Sequence, residues 1–291
     1  MPSRVRPVAT RSCRLGSFSL AAGLFWQVGR LFGERVMQEI HTEVAIIGAG
    51  SAGMYALREV KRAGKSFILI DQGPLGTTCA RVGCMPSKVA LHAAHLWDSR
   101  RHFSGIGIEG VAHLHIDTTQ TWAALREQRD RFASGPSNKA REAAGERLLM
   151  GRARFIGPKT LEVESSSGQI ARVYAHSVVI AVGSRPVRPA VLTALGHAVL
   201  TTDDFFEQTA LPRSLGVLGL GAIGLEMGLA ASRLGVAVIG ADLADVPAGI
   251  ADPDVARRAI DVLGREFPLW LGRTAQLDAV PEGVRIRSGE Q

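Results

Sequence analysis

The chain has 291 residues, 46% hydrophobic and 21% charged with 33 Gly, enough for about two domains at roughly 150 residues each and too apolar for wholesale disorder. Three Cys exclude a secreted disulfide scaffold. The net charge of +7 raises nucleic acid as a partner, so its location along the chain decides that question.

Residues 1–36 carry six Arg and one acid, Glu34, while residues 37–291 balance 28 basic against 26 acidic side chains. The body has no basic stripe interleaved with aromatics, which sets nucleic acid aside. The apolar stretch from Leu15 to Leu24 is too short and interrupted for a membrane span, and no small-x-small cleavage site follows it. Met37 opens Met37-Gln38-Glu39-Ile40 just before the first strong strand. Residues 1–36 are therefore expected to be an extension outside the fold, with a cleavable targeting segment as the alternative. No other segment is apolar enough to cross a membrane.

The strand Glu43–Ile47 leads into Gly48-Ala49-Gly50-Ser51-Ala52-Gly53, and an amphipathic helix runs to about Ala63 with Gly64 as its stop. Phe67–Ile70 is a second buried strand ending in Asp71. A Gly-rich loop, a Cys79–Cys84 region and a helix through about Trp97 come next, then helical periodicity over 120–147. Short strands are expected from Leu148 to about Val182, the last of them Ser177–Val182 stopped by Gly183. Pro186 and Pro189 mark a crossing, and a second strand–glycine–helix–strand unit spans Leu215 to Ile239. A helix over Asp252–Gly264 and short strands over 269–288 complete the second half.

A lone G-x-G-x-x-G is weak evidence. With a strand before it, a helix after it and an acid about twenty residues on, it becomes a dinucleotide site. The bare backbone lets a diphosphate approach the helix N-terminus, and the acid takes ribose hydroxyls. Gly48, Gly50, Gly53 and Asp71 meet all three conditions. Gly219, Gly221 and Gly224 form a second such turn, but its second strand reads as ending at Gly240, where the acid is expected; Asp242 stands two residues later as a substitute. No Arg pair follows for a 2′-phosphate, so the reading favours NAD and leaves NADP open. Two turns in one chain point to two dinucleotides, for which a flavin with a nicotinamide is the usual chemical reason.

Outside the extension, which holds Cys13, the only cysteines are Cys79 and Cys84. Zinc needs four ligands and no further Cys or paired His lies near, so no metal site is expected. The alternatives are two structural thiols and a redox dithiol. Pro86, placed as the first residue of a helix, sets Cys84 at a helix N-terminus, where the dipole favours a thiolate.

The run Gly76-Thr77-Thr78-Cys79-Ala80-Arg81-Val82-Gly83-Cys84-Met85-Pro86-Ser87-Lys88 closely resembles the redox-active motif of the pyridine nucleotide-disulfide oxidoreductases. Its Pro-Ser-Lys ending is more similar to dihydrolipoyl dehydrogenase or mercuric reductase than to glutathione reductase. Gly224-Leu225-Glu226 and Val179-Ile180-Ala181-Val182-Gly183-Ser184-Arg185-Pro186 are similar to the same family, and the resemblance covers about residue 42 to the C-terminus. It implies an α/β fold of two Rossmann-like dinucleotide-binding domains: an FAD domain over 37–190, a crossing over 191–211 and an NAD(P) domain over 212–291.

By this resemblance FAD sits on the first turn, with Asp71 on the adenosine ribose, Thr78 near the diphosphate, Gly151-Arg152-Ala153 beside the adenine, and Gly183 also lining the site. Cys84 faces the flavin, Cys79 exchanges with a substrate dithiol, Lys88 lies beside the flavin, and Glu226 reaches Lys88 across the domain boundary. Without the resemblance, Lys88 and Glu226 read as ordinary solvated charges. Electrons pass from dihydrolipoamide to the disulfide, to FAD and to NAD+ held near Gly219, Gly221 and Gly224, in a cytoplasmic enzyme. Thr77 departs from the family's glycine.

The family chain is roughly half as long again. Residues that finish its FAD domain, and its interface domain with a His-Pro acid–base group, have no counterpart here. The last histidine is His197. On this reading general acid–base help worth about 10²–10⁴-fold is missing, and without the interface domain the usual homodimer is not expected. It also leaves as alternatives a non-catalytic remnant that binds dinucleotide at most, and a mercuric reductase-like enzyme, which needs a C-terminal Cys pair.

Overall fold

The computed structural model describes residues 37–281 and 283–288; the expected extension, 1–36, lies outside them. In chain order the first half comprises β1 (Met37–Ile47), α1 (Ser51–Arg62), β2 (Phe67–Asp71), α2 (Thr78–Val82), α3 (Cys84–Ser99) and α4 (Thr118–Ala144), then β3 (Leu148–Met150), β4 (Arg152–Gly157), β5 (Thr160–Glu164) and β6 (Ile170–Ile180). Two one-turn helices, α5 (Ala190–Thr193) and α6 (Thr202–Phe205), occupy the crossing. The second half comprises β7 (Ser214–Leu218), α7 (Ala222–Arg233), β8 (Ala237–Ala241), α8 (Pro253–Gly264), β9 (Leu269–Trp270) and the hairpin β10 (Gln276–Val280) with β11 (Gly283–Arg287).

The first six strands form one sheet in the order β3-β2-β1-β6-β5-β4. β1 lies parallel to β2 and β6, whereas β4, β5 and β6 pair antiparallel. Alternation along β2 sends Ile68 and Ile70 to a cluster with Ala45, Leu161 and Val173, and Phe67 and Leu69 to one with Ile46, Leu57 and Ala140. A strand buried on both faces has to read as a continuous apolar run, as Phe-Ile-Leu-Ile does. β1 starts six residues before the expected Glu43, because it pairs with β6 from Met37↔Ile170 through Ile47↔Ile180. Its first residues lie beside the stretch of β6 that also pairs antiparallel with β5, and Gln38, Glu39 and His41 are exposed there, so polar side chains hid the strand. For the same reason β6 is one strand of 11 residues rather than a short strand followed by Ser177–Val182.

The second sheet is parallel, in the order β7-β8-β9. Helices from both halves share one core: Ala90 and Ala94 of α3, Trp122 and Leu125 of α4, Phe205 and Phe206 of the crossing, and Met227, Ala230 and Leu234 at α7. Trp122 stacks on Phe206 at 6.3 Å and meets Phe205 edge-on at 5.2 Å, favourable geometries for aromatic quadrupoles. The crossing is therefore packed, not a loose linker.

Arg129 fastens it. Its side chain is 6% exposed, and its guanidinium donates to Glu207 Oε1 at 2.6 Å and to the Phe206 carbonyl at 3.3 Å. Glu207 is half exposed and can rehydrate, but the buried carbonyl cannot. Arg129→Met is expected to destabilise the protein by about 2–3 kcal/mol, below the range for a fully buried pair, read as a lower urea midpoint. An unchanged midpoint would mean that the crossing is held by its aromatics alone.

Candidate active site

Both glycine turns are built alike. At the end of β1, Gly48 adopts φ +106° and donates its N–H to the Ile70 carbonyl at 2.7 Å. Gly50 caps α1, and Gly53 lets the helix rest on the turn. Asp71 accepts from Ala49 N–H and Gly73 N–H, each at 2.7 Å. At the end of β7, Gly219 adopts φ +91° and donates to the Ala241 carbonyl at 2.8 Å. Gly221 caps α7. Asp242 accepts from Leu220 N–H at 2.5 Å and Ala244 N–H at 2.9 Å.

This corrects the expected end of the second strand. β8 continues through Gly240 to Ala241, in register with Leu218, so Asp242 occupies in the second turn the position Asp71 occupies in the first. The acid is not displaced. In each case two backbone N–H groups hold the carboxylate at the tip of the strand and leave its remaining lone pairs for hydroxyl donors.

A groove of about 490 Å³ opens over the first turn, lined among others by Gly48, Asp71, Thr78, Gly151 and Ala153. Gly183 lines the adjoining pocket with Arg152 and Arg185. A bare-backbone turn, a fixed carboxylate and a long groove fit the diphosphate, ribose and adenine of a dinucleotide.

The helix that holds Cys79 lines this groove through Thr78, Arg81 and Val82, and the helix that begins at Cys84 shares a core with α7 of the second half. Thr77 caps α2, its Oγ1 accepting Ala80 N–H at 3.1 Å, so the departure from glycine here provides a helix cap. Gly83 joins α2 to α3. A Cβ on it would meet the Thr78 carbonyl at 3.2 Å and Cys79 Cα at 3.4 Å, so glycine brings the two helices together. α3 begins at Cys84 itself, with Pro86 third rather than first. Cys79 is half-buried and Cys84 exposed, both as free thiols. Their mutual hydrogen bond, with burial second, pushes the Cys79 thiol up from its ordinary value.

One turn beyond Cys84, Lys88 Nζ donates to Glu226 Oε1 at 2.6 Å. This is the approach expected of the pair, between side chains 138 residues apart. Lys88 is 60% exposed, so the contact adds at most about 1 kcal/mol of stability. What it supplies is position: it ties the dithiol helix to α7, two residues after Gly224. Arg81, which lines the groove, is a residue that sequence reasoning passed over. Among the described residues no helix is long and apolar enough to cross a membrane, and no group of three or more His, Cys, Asp or Glu is placed to hold a metal ion.

Residues 42–271 match the family model described as pyridine nucleotide-disulphide oxidoreductase. The chain belongs to this family. It is similar to dihydrolipoyl dehydrogenase of Pseudomonas aeruginosa, 32% identical over 87% of this chain and 54% of the relative. With dihydrolipoyl dehydrogenase of Bacillus subtilis it shares 31% identity over 74% of this chain and 46% of that one. A solved HOCl-induced flavoprotein disulfide reductase, RclA of Escherichia coli, in its Cu(II) complex, shares the fold with a TM-score of 0.70 at 21% identity, over 86% of this chain and 54% of the other. The chain thus spans about half the length of the curated relatives it matches. The family's α/β architecture of Rossmann-like parts accounts for the paired turns.

Proposed function

We propose that this chain carries the cofactor-binding and dithiol parts of a flavin-dependent disulfide oxidoreductase of the dihydrolipoyl dehydrogenase type. The observation that carries the reading is that α2, which holds Cys79, lines the first groove through Thr78, Arg81 and Val82, while α3, which begins at Cys84, meets α7 beside the second glycine turn through the Lys88–Glu226 contact. Gly48, Gly50, Gly53, Asp71, Thr78, Ala153 and Gly183 would hold FAD; Gly219, Gly221, Gly224 and Asp242 would hold the nicotinamide dinucleotide. Bound flavin supplies the two-electron carrier between the dithiol and the nicotinamide.

The exchange itself belongs to the protein's sulfurs. A thiolate of the substrate dithiol attacks Cys79 Sγ of the Cys79–Cys84 disulfide; an S–S bond forms to the substrate, and Cys84 leaves as thiolate. The second substrate thiolate then displaces Cys79, so the substrate leaves as a cyclic disulfide and two electrons remain on the cysteine pair. Lys88, one turn along the helix that begins at Cys84, is held there by Glu226. A dithiol that must cycle fits a reducing compartment such as the cytoplasm.

Asp242 would set the nicotinamide preference. A carboxylate at the strand tip accepts ribose hydroxyls and repels a 2′-phosphate. Asp242→Ser is expected to weaken NADH binding by about 10-fold or more and to narrow the gap to NADPH, as read by nucleotide fluorescence titration. An unchanged NADH to NADPH ratio counts against the assignment. The reading as a whole is tested by mixing FAD-equilibrated protein with dihydrolipoamide and NAD+. NADH and lipoamide in equal amounts are expected. Cysteines that stay inert to lipoamide while FAD is bound would overturn it.

A further inference from the structure

We infer that Arg81 is the cation that recognises the diphosphate of the dinucleotide in the first groove, an inference that rests on the function proposed above. The helix α2 is only five residues long, so its faces are sharply divided. Ala80 is 5% exposed and points into the core. Thr78, Arg81 and Val82, spaced i, i+3 and i+4, line the groove together. The stem of Arg81 is fixed by its neighbour: a Cβ on Gly76 would stand 3.3 Å from Arg81 Cδ, and Gly76 adopts φ +115°, which a side chain rarely takes.

The charge is unmatched. Among the described residues no carboxylate lies within ion-pair distance of Arg81, whereas twelve other arginines each have one. Of the three acids that line the groove, Asp71 is held on two backbone N–H groups and Glu207 on Arg129, while Asp203 is exposed and makes no ion pair with Arg81. A half-buried guanidinium without a partner, in a groove of dinucleotide size, is an anion receptor. Its planar fork matches two oxygens of one phosphate or one from each of a pair. Arg152 and Arg185 also face this groove, but both are exposed at its mouth, where water screens them. Arg81 sits beside Thr78, between the two cysteines in sequence, so the same short helix would hold the cofactor's diphosphate and present the dithiol.

The test is FAD binding by fluorescence quenching across a salt series, with wild type, Arg81→Gln and Arg81→Lys compared at matched thermal stability. Arg81→Gln is expected to raise the FAD Kd about 10- to 100-fold and to flatten its dependence on salt, because one screened charge pair is gone. Arg81→Lys should recover the salt dependence but only part of the affinity, because it restores the charge without the planar fork. An unchanged Kd, or a weaker Kd with the salt dependence of wild type, overturns the assignment and leaves Arg81 a packing residue. Wild-type protein that binds no FAD removes the function proposed above, and this inference with it.

Discussion

Replacing Cys79 or Cys84 by Ser is expected to lower dihydrolipoamide-dependent NADH formation by at least about 10³-fold, the scale on which removal of a covalent participant acts. A serine oxygen forms no stable bond to sulfur under these conditions, so neither variant can hold the two electrons that the exchange deposits. Folding should be unaffected, because Cys84 is exposed and Cys79 only half-buried. The two sulfurs should also differ before any cofactor is added. The hydrogen bond to Cys84 and burial raise the Cys79 thiol, so its neutral form persists to higher pH than in a free cysteine. In the folded protein, alkylation of Cys79 by iodoacetamide should keep rising with pH beyond the range where an ordinary thiol has levelled off. Replacing Cys84 should bring that profile back towards the ordinary one. Undiminished turnover in either serine variant would make the pair structural.

The glycine turns give the second large effect, and they separate folding from binding. A Cβ on Gly53 would stand 1.7 Å from the Gly48 carbonyl oxygen, and one on Gly224 1.9 Å from that of Gly219. Neither fits without moving a strand–turn–helix backbone. Gly53→Ala should therefore lose stability and FAD together, and Gly224→Ala stability and NADH together, with binding weakened by about 10- to 100-fold, the equivalent of a 1–3 kcal/mol packing strain. Gly50 is different. It has φ −76°, and a Cβ there meets nothing within 4 Å. Gly50→Ala should melt with the wild type and still bind FAD poorly, because the added methyl occupies the approach to the α1 N-terminus. Gly50→Ala that binds FAD normally would show that the diphosphate lies elsewhere.

Local patterns carried most of the site. The first glycine turn, Asp71 and the cysteine run each depend on residues a few positions apart, and strand, turn and helix signals around them agree. The Asp242 position was obscured by Gly240, a breaker signal inside a strand that pairing with β7 carries on to Ala241; tertiary register overrode the local cue. The Lys88–Glu226 contact joins side chains 138 residues apart, beyond any periodicity, and only the family resemblance pointed to it. Arg129 looked like one more charge on a charged helix. Its burial follows from where α4 meets the crossing, and the aromatic cluster of Trp122, Phe205 and Phe206 that sets this geometry comes from two distant segments. Arg81 carries no local cue of its own, since its approach to the groove depends on how the short helix α2 packs.

The most direct measurement is the visible spectrum of the purified chain, equilibrated with FAD, freed of excess and reduced by two electrons with a dithiol. The account predicts a retained flavin spectrum that gains a long-wavelength charge-transfer band from the Cys84 thiolate, a band absent in Cys84→Ser. A colourless protein, or a bound flavin that bleaches with no such band, would contradict it.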